Sequence, residues 1–164
     1  MHGTEEQKRR FIPAALLVRR DLVPGLLASR ARAPTSRTQQ TSAVRKGDTW
    51  IVNGHKVWTS LGHFAQWMIL IARTSNEHKY DGLTYFLCPI EGHPGVTVQP
   101  LIKMTGESGF NEVLFENVEL PDSLRLDAVG KGWTVAMTTL TYERGAAEGA
   151  RRRRRRPRER DRAR

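Results

Sequence analysis

The sequence predicts a mainly β fold, a barrel-like domain of six or seven strands with short helices on either side. Short apolar runs of β-like composition recur between residues 49 and 118, and Gly or Pro residues separate them. Helical periodicity is confined to the two ends of the chain. Several short strands at this spacing are typical of a barrel or a sandwich, and 164 residues are enough to bury a core.

The amino end predicts a short helix over residues 4–17. Thr4 suits the N-cap, and Glu5 and Glu6 place negative charge in the first turn, where the helix dipole favours it. Pro13 predicts a kink, because proline cannot donate the backbone hydrogen bond. Residues 18–40 hold five arginines and two prolines but no aromatic residue and no period, so no element is assigned to them.

The chain becomes β-like from Thr49. The dipeptide Asn53-Gly54 separates two apolar runs, which predicts a hairpin with a type I′ turn at these two residues. Turn residues bound the later runs as well, at Asp81-Gly82, at Pro94-Gly95 and at Pro121. The further strands are predicted over residues 67–72, 83–87, 96–101 and 111–118.

The period changes after residue 132 and predicts a second helix. Trp133, Ala136, Met137 and Leu140 recur at the spacing of one helix face. Six consecutive arginines, Arg151–Arg156, then interrupt the helical period of apolar residues. They predict a disordered, arginine-rich tail over residues 150–164.

Charge and cysteine content narrow the class of protein. The net charge of +10 belongs to the ends, because residues 1–47 and 151–164 are basic and the body between them is mildly acidic.

The single cysteine, Cys88, lies in an apolar run and is predicted to be a buried small hydrophobe. The five histidines lack ligand spacing, so no metal site is predicted. Met1 is followed by a polar stretch without a signal-peptide core, which predicts a cytoplasmic protein.

Residues 47–144 resemble the acyl-CoA dehydrogenase family, because six pieces match its pattern in the family's order. The first, residues 50–60, is similar to the family's W-x-(I/L/V)-N-G-x-K-x-W-(I/T)-(T/S) segment. One such piece is a weak signal, whereas six in order are specific. Residues 3–17 also resemble the end of the family's N-terminal helical domain. The other pieces are residues 65–67 with 72–74, 86–89, 94–96, 110–118, and 132–133 with 142–144.

The resemblance implies a division of the chain into domains and a chemistry. Residues 1–17 are expected to end a helical domain, 18–46 to be irregular, 47–129 to form the β-domain, and 130–149 to begin a second helical domain. The implied protein is a homo-oligomeric FAD enzyme that desaturates acyl-CoA thioesters. A carboxylate removes the α-proton, the β-hydrogen leaves as hydride to the flavin, and an electron-transfer flavoprotein accepts the electrons.

The resemblance also assigns site residues. Trp58, Thr59 and Ser60 match the family's flavin-contacting stretch, with Trp58 against the ring and Ser60 near N5. Glu143 falls where a minority of family members keep the catalytic base, and Arg144 matches an arginine that contacts the CoA portion. The alternatives are a core tryptophan with strand-end hydroxyls, a surface glutamate paired with a cation, and a solvated arginine.

Two stretches depart from the family pattern. A (T/S)-E-P-x-x-G-S-D motif belongs where residues 18–40 stand, and neither Ser29 nor Ser36 has the flanking residues to replace its serine. An arginine-rich run also follows Arg144, where the family has a long helical domain. Both stretches have the composition of out-of-frame translation of a G+C-rich gene, a hypothesis that fails if no other frame over residues 18–40 encodes the motif. We therefore predict an incomplete copy without activity.

Two other functions compete with the enzyme. Arg151–Arg156 would neutralise phosphates, so a non-catalytic β-domain with a basic tail would bind nucleic acid or acidic surfaces in a salt-dependent way. The chain carries no recognised nucleic-acid motif that would add specificity. A remnant that binds acyl-CoA without flavin is the other alternative. A yellow, flavin-containing protein would favour the enzyme, and the sequence does not define the acyl chain.

Overall fold

The computed structural model describes residues 2–17, 22–25, 41–76 and 80–142. These residues form one mixed β-sheet with a helix near each end. The first helix is α1 (Glu5–Leu17), and a second, α2, covers residues 132–142. The strands are β1 (Leu22–Gly25), β2 (Ser42–Lys46), β3 (Thr49–Ser60), β4 (Trp67–Arg73), β5 (Leu83–Pro89), β6 (Val96–Leu101), β7 (Phe110–Pro121) and β8 (Arg125–Leu126).

The two longest strands, β3 and β7, pair antiparallel and form the centre of one wing of the sheet. The strand order is β6-β7-β3-β2-β4-β5-β8, and β1 pairs with β4 in parallel. The predicted mainly β class is confirmed, with six strands of at least five residues and the two short strands β1 and β8. Within the described residues the edge strands β6 and β8 do not pair, so the sheet stays open and is not a closed barrel.

The core lies on the inner face of this sheet. Met68, Phe86, Phe115 and Leu120 are each at most 1% exposed, and each contributes a large apolar side chain. Trp50 packs edge-on against Phe86 with ring centroids 5.5 Å apart. Cys88 is fully buried in the same cluster, as predicted, and burial raises the pKa of its thiol to about 12.

The predicted hairpin turn at Asn53-Gly54 is wrong. Strand β3 runs through these residues without turning, and the turn that joins β2 to β3 lies at residues 47–48. At Asn53 the register with β7 shifts by one residue, because β7 carries an extra residue, Asn117, with φ +50°. Asn53 satisfies this bulge, since its Oδ1 accepts the Asn117 backbone N–H at 2.8 Å. Gly54 leaves room for Thr41, whose Cα would lie 2.5 Å from an added Cβ.

Helix α1 begins as the sequence predicts. The Thr4 Oγ1 accepts the Gln7 backbone N–H at 3.2 Å, and the Gln7 Oε1 accepts the Thr4 N–H at 2.9 Å, which is a reciprocal capping box. Gln7 also anchors the helix to the sheet, because its side-chain amide donates to the carbonyls of Ser123 and Arg125. Pro13, at which the sequence predicts a kink, lies inside the helix.

Helix α2 covers a second, smaller cluster beside β4 and β5. Val135 and Ala136 are buried against Ile71, Leu83 and Tyr85. Of the predicted apolar face only Ala136 is fully buried, while Trp133, Met137 and Leu140 are half-buried. Val135 was missed, because the rotation of the helix on the sheet is set by contacts that the period does not encode.

His2 ties the residues before α1 to the end of β8 and to α2. Its Nδ1 lies 2.7 Å from the Asp127 carboxylate and its Nε2 lies 3.0 Å from the Thr138 hydroxyl. The hydrogen bond with His2 lowers the pKa of Asp127, with a further contribution from the Ala128 N–H.

Residues 18–46, predicted to be irregular, contribute two strands to the sheet. The strand β2 forms a hairpin with β3 and is paired over all five of its residues. The strand β1 lies at Leu22–Gly25. The sheet therefore begins before residue 47. No helix in the described ranges has the length and apolar character to cross a membrane.

Candidate functional site

The candidate site lies where β3 ends and its side-chain alternation is interrupted. Trp50, Val52 and Lys56 face the interior, so simple alternation would turn Trp58 inward too. Instead β3 carries one extra residue between Lys56 and Thr59, the register shifts against β7, and Trp58 takes φ +64°. The bulge places Trp58 on the outside, where its side chain is 56% exposed.

Thr59 takes the interior position that Trp58 vacates. It is 2% exposed and pairs with the fully buried Asn111 on β7. Asn111 fastens the next turn, because its Oδ1 accepts from the backbone N–H of His63 at 3.3 Å and lies 2.9 Å from its Nδ1. Ser60 is exposed, opposite Phe110. The end of β3 is therefore held rigidly from beneath while it presents Trp58 and Ser60 to the outside.

An aromatic surface surrounds Trp58. The Phe110 ring meets the Trp58 ring edge-on with centroids 5.7 Å apart. Lys103 Nζ lies 5.7 Å from the Phe110 ring and 2.6 Å from the Glu107 carboxylate. Leu61 and Phe64 follow on the next turn and are more than half exposed. These exposed aromatic and apolar side chains suit contact with a planar aromatic ligand.

Two residues before Trp58, β3 carries a buried lysine. Lys56 is fully buried, and no hydrogen-bond partner for its Nζ is present in the described part of the chain. Burial alone lowers the pKa of Lys56 to about 7. Its neighbours in the pairing are apolar, since Val113 lies directly opposite on β7 and is fully buried.

Comparison with known proteins decides the family. The family pattern for "Acyl-CoA dehydrogenase, middle domain" matches residues 29–118, more than half of the chain. The chain belongs to the acyl-CoA dehydrogenase family. It is 40% identical to the acyl-CoA dehydrogenase IpdE1 of Mycobacterium tuberculosis over 146 residues, which cover 88% of this chain and 37% of that relative. The chain therefore spans little more than a third of the length of this relative.

Solved structures agree with this placement. The ChsE4-ChsE5 complex from Mycobacterium tuberculosis matches with a TM-score of 0.74 at 30% identity, over 85% of this chain and 36% of that one. A structure described as the electron transferring flavoprotein of Acidaminococcus fermentans matches with a TM-score of 0.76 at 33% identity, over 85% and 37%. The mainly β fold of this chain is thus shared with a part of each of these two solved chains.

The structure brings some of the predicted acyl-CoA dehydrogenase site residues together and leaves others undescribed. Trp58, Thr59 and Ser60 lie at one strand end, but only Trp58 and Ser60 have accessible side chains. Glu143 and Arg144 come directly after α2 and lie outside the described residues, as do Arg151–Arg156 and His78. In the described ranges no three His, Cys, Asp or Glu side chains are grouped to hold a metal ion.

Sequence reasoning missed two residues of this candidate site. Phe110 was identified only as part of a family segment, although an aromatic residue at the first position of a strand is a candidate for a surface contact. Lys56 was noted only as one residue of the motif over residues 50–60, although it is fully buried. Its place in an otherwise strand-forming run was the available signal, because a lysine at an inward position is rarely buried without a partner.

Proposed function

We propose that this chain supplies the flavin-facing middle domain of an FAD-dependent acyl-CoA dehydrogenase, and that the chain by itself does not catalyse the reaction. The observation that carries the first part is the β3 bulge, which turns Trp58 outward onto an aromatic surface. A strained backbone at a non-glycine residue costs about 1–3 kcal/mol and persists where the surroundings enforce it, often at ligand sites.

The residues at this surface fit a flavin in part. Trp58 offers an exposed, flat wall for an isoalloxazine ring, and the exposed Ser60 offers a hydroxyl donor. Thr59 fits only through its backbone, because its side chain is buried beneath the surface. When bound, FAD accepts the hydride in the α,β-desaturation of an acyl-CoA thioester. The roles of the protein residues are to orient that ring, to exclude water from one of its faces and to donate a hydrogen bond.

The lack of a suitable general base near the aromatic surface, among the described residues, is the reason why we propose that this chain by itself does not catalyse the reaction. The carboxylates on either side of Phe110 in the sequence are both engaged: the exposed Glu107 lies 2.6 Å from Lys103 Nζ, and Glu112 lies 3.0 Å from His55 Nε2. A general base in this chemistry needs a dry setting that brings its pKa towards the working pH. We therefore assign the base to residues outside the described ranges, with Glu143 as this chain's candidate and Arg144 as its candidate contact to CoA. Acyl-CoA, an electron-transfer flavoprotein and assembly with further subunits are proposed for the whole protein.

Flavin binding tests the first part. We expect the purified chain to quench the fluorescence of added FAD, and Trp58→Ala to weaken this quenching by about tenfold in affinity, since stacking on an aromatic contributes about 1–1.5 kcal/mol. Trp133→Ala is the matched control, because Trp133 is half-buried on α2 and packs against Tyr80. Equal FAD binding by the wild type and Trp58→Ala would contradict the proposal.

A turnover assay tests the second part. With acyl-CoA esters of several lengths and an artificial electron acceptor, the FAD-supplemented chain is expected to show no desaturation above the free-flavin background. Turnover that disappears in Glu143→Gln would overturn this expectation and would identify Glu143 as the base. Flavin binding without turnover is the expected combination.

A further inference from the structure

An open cavity lies next to the aromatic surface around Trp58. Its volume is about 450 Å³, and its walls come from the turn after β3, the turn after β5 and strand β6. Phe64 belongs both to the aromatic surface and to the cavity wall, so the two regions are continuous. The larger side chains of the wall are His63, Phe64, Ile90, Glu91, Val96 and Val98.

A buried asparagine fixes the orientation of His63 and the position of its ring proton. The Asn111 side-chain atom that accepts the His63 backbone N–H at 3.3 Å must be the amide oxygen, because an N–H group can only donate. The His63 Nδ1 lies 2.9 Å from the same oxygen and therefore carries the ring proton. In the neutral ring Nε2 is then a hydrogen-bond acceptor, and no described residue donates to it.

The other polar side chain of the wall also accepts hydrogen bonds. Glu91 follows Ile90, whose backbone N–H donates to the Gln66 carbonyl at 2.9 Å and so fixes this side of the cavity. Among the described lining residues, Glu91 is the only one with a formal charge, which makes a phosphate unfavourable inside the cavity. Phe64 and the two valines of the wall offer apolar contacts. The cavity therefore suits an uncharged aromatic ring that donates hydrogen bonds from its edge.

We propose that this cavity is a subsite for the adenine ring of FAD. The exocyclic amine of adenine has two N–H donors for the two acceptors, His63 Nε2 and the Glu91 carboxylate, and the ring would pack against Phe64. The diphosphate would stay outside the cavity, away from Glu91. The inference rests on the proposed flavin contact at Trp58, because one FAD molecule carries both rings and the two regions are continuous through Phe64.

Two flavins separate the adenine subsite from the flavin surface. FMN carries the isoalloxazine ring without adenine, so the wild type should bind FAD about tenfold more tightly than FMN in fluorescence titrations. Val98→Phe, which fills the cavity, should lower the FAD affinity to that of FMN and leave FMN binding unchanged, whereas Trp58→Ala should weaken both. Thr97→Phe, at the neighbouring exposed position of β6, is the matched control and should keep the preference for FAD. Equal binding of the two flavins by the wild type would overturn the proposal.

Adenosine tests the subsite without any flavin. In chains with ¹³C-labelled valine methyl groups, the resonances of Val96 and Val98 are identified by their absence from Val96→Ile and Val98→Ile. Adenosine is expected to shift both resonances, and His63→Phe should weaken this binding by at least about fivefold. Inosine should shift neither, because it carries a carbonyl oxygen where adenosine has the amine and would leave the acceptors unpaired.

The outcomes distinguish this inference from the proposed function. Resonances that adenosine leaves unchanged, or that inosine shifts equally, would overturn the adenine subsite even if FAD and FMN both bind at Trp58. Adenosine shifts in a chain that binds neither flavin would contradict the flavin contact and leave the adenine subsite standing.

Discussion

The two halves of strand β3 obey different rules. In the first half, Trp50 and Val52 are apolar and buried, and the Trp50 indole N–H is satisfied by the Asp122 carboxylate at 2.6 Å. In the second half, a lysine is buried with no partner among the described residues, and a tryptophan is exposed with a left-handed backbone. Both halves lie in one strand and pair with the same partner, β7. Local strand propensity therefore does not explain the difference.

The contrast supports the proposed division of roles, in which the first half builds the fold and the second half serves the flavin site. Proteins tend to break local rules at functional positions and to compensate for the cost elsewhere. Here the buried Thr59 and its neighbours on β7, Val113 and Asn111, hold the strand end in place. The free energies of unfolding should therefore respond differently to substitutions in the two halves.

The largest effect is expected from the pH dependence of Lys56. Its pKa in the folded chain is about 7, against about 10.5 when unfolded, so the unfolded state binds a proton between these values and the folded state does not. Stability therefore decreases as the pH falls from about 10.5 to about 7 and levels off below that, a total of about 5 kcal/mol.

Chemical denaturation of the wild type and Lys56→Met between pH 6 and 10 checks this. The variant should gain stability over the wild type, and the gain should be largest at the acidic end of the range. Lys46→Met, which changes an exposed lysine on β2, is the control and should follow the wild-type curve. A Lys56→Met curve parallel to that of the wild type would show that the amine is charged and solvated.

The second prediction compares the two tryptophans of β3. Trp50→Ala should reduce the free energy of unfolding by about 3–5 kcal/mol, because it leaves a cavity beside Phe86 and removes one of the hydrogen-bond donors to Asp122. Trp58→Ala should change it by less than about 1 kcal/mol, since the side chain is already 56% exposed. Urea unfolding of both variants measures the difference, and a large loss of stability in Trp58→Ala would mean that the exposed ring belongs to the structural half.

The third prediction compares the two glycines on either side of the first half of β3. Gly54→Ala should cost about 2–4 kcal/mol, because its Cβ would meet the Thr41 backbone and its φ of +144° strains any L-residue. Gly47→Ala should cost only about 1 kcal/mol, since its φ is +63° and the space around it is open. Thermal unfolding of the two variants would contradict the bulge assignment if Gly47→Ala were the more damaging change.

The regular strands were predictable from sequence, and the two irregularities of β3 were not. Strands over residues 67–72, 83–87 and 96–101 were predicted to within two residues, because apolar runs bounded by Gly and Pro carry that information locally. Asn53-Gly54 was misassigned, because the same dipeptide serves a hairpin or a bulge. The contacts that decide between them, from Asn117 and Thr41, come from residues distant in sequence. The outward turn of Trp58 depends likewise on its register against β7.

The smallest of the effects concerns Asp122, which completes the satisfied half. Its carboxylate accepts hydrogen bonds from Arg125 and from the Trp50 indole, and the Arg125 bond is the main cause that lowers the pKa of Asp122 below its usual range. Because the folded pKa is depressed, this stabilisation is present above the unfolded pKa of about 4 and is lost as the pH falls below it.

Asp122→Asn should therefore cost about 1–2 kcal/mol at pH 7 and progressively less below pH 4, as measured by denaturant unfolding across this range. Glu119→Gln, on an exposed position of β7, is the control and should cost almost nothing at either pH. An Asp122→Asn penalty that persists undiminished at pH 2 would mean that geometry and not charge fixes this end of β3. In that case Asp122 and Lys56 would differ in packing alone, although the penalty expected for Lys56 comes from a charge for which the described residues offer no partner.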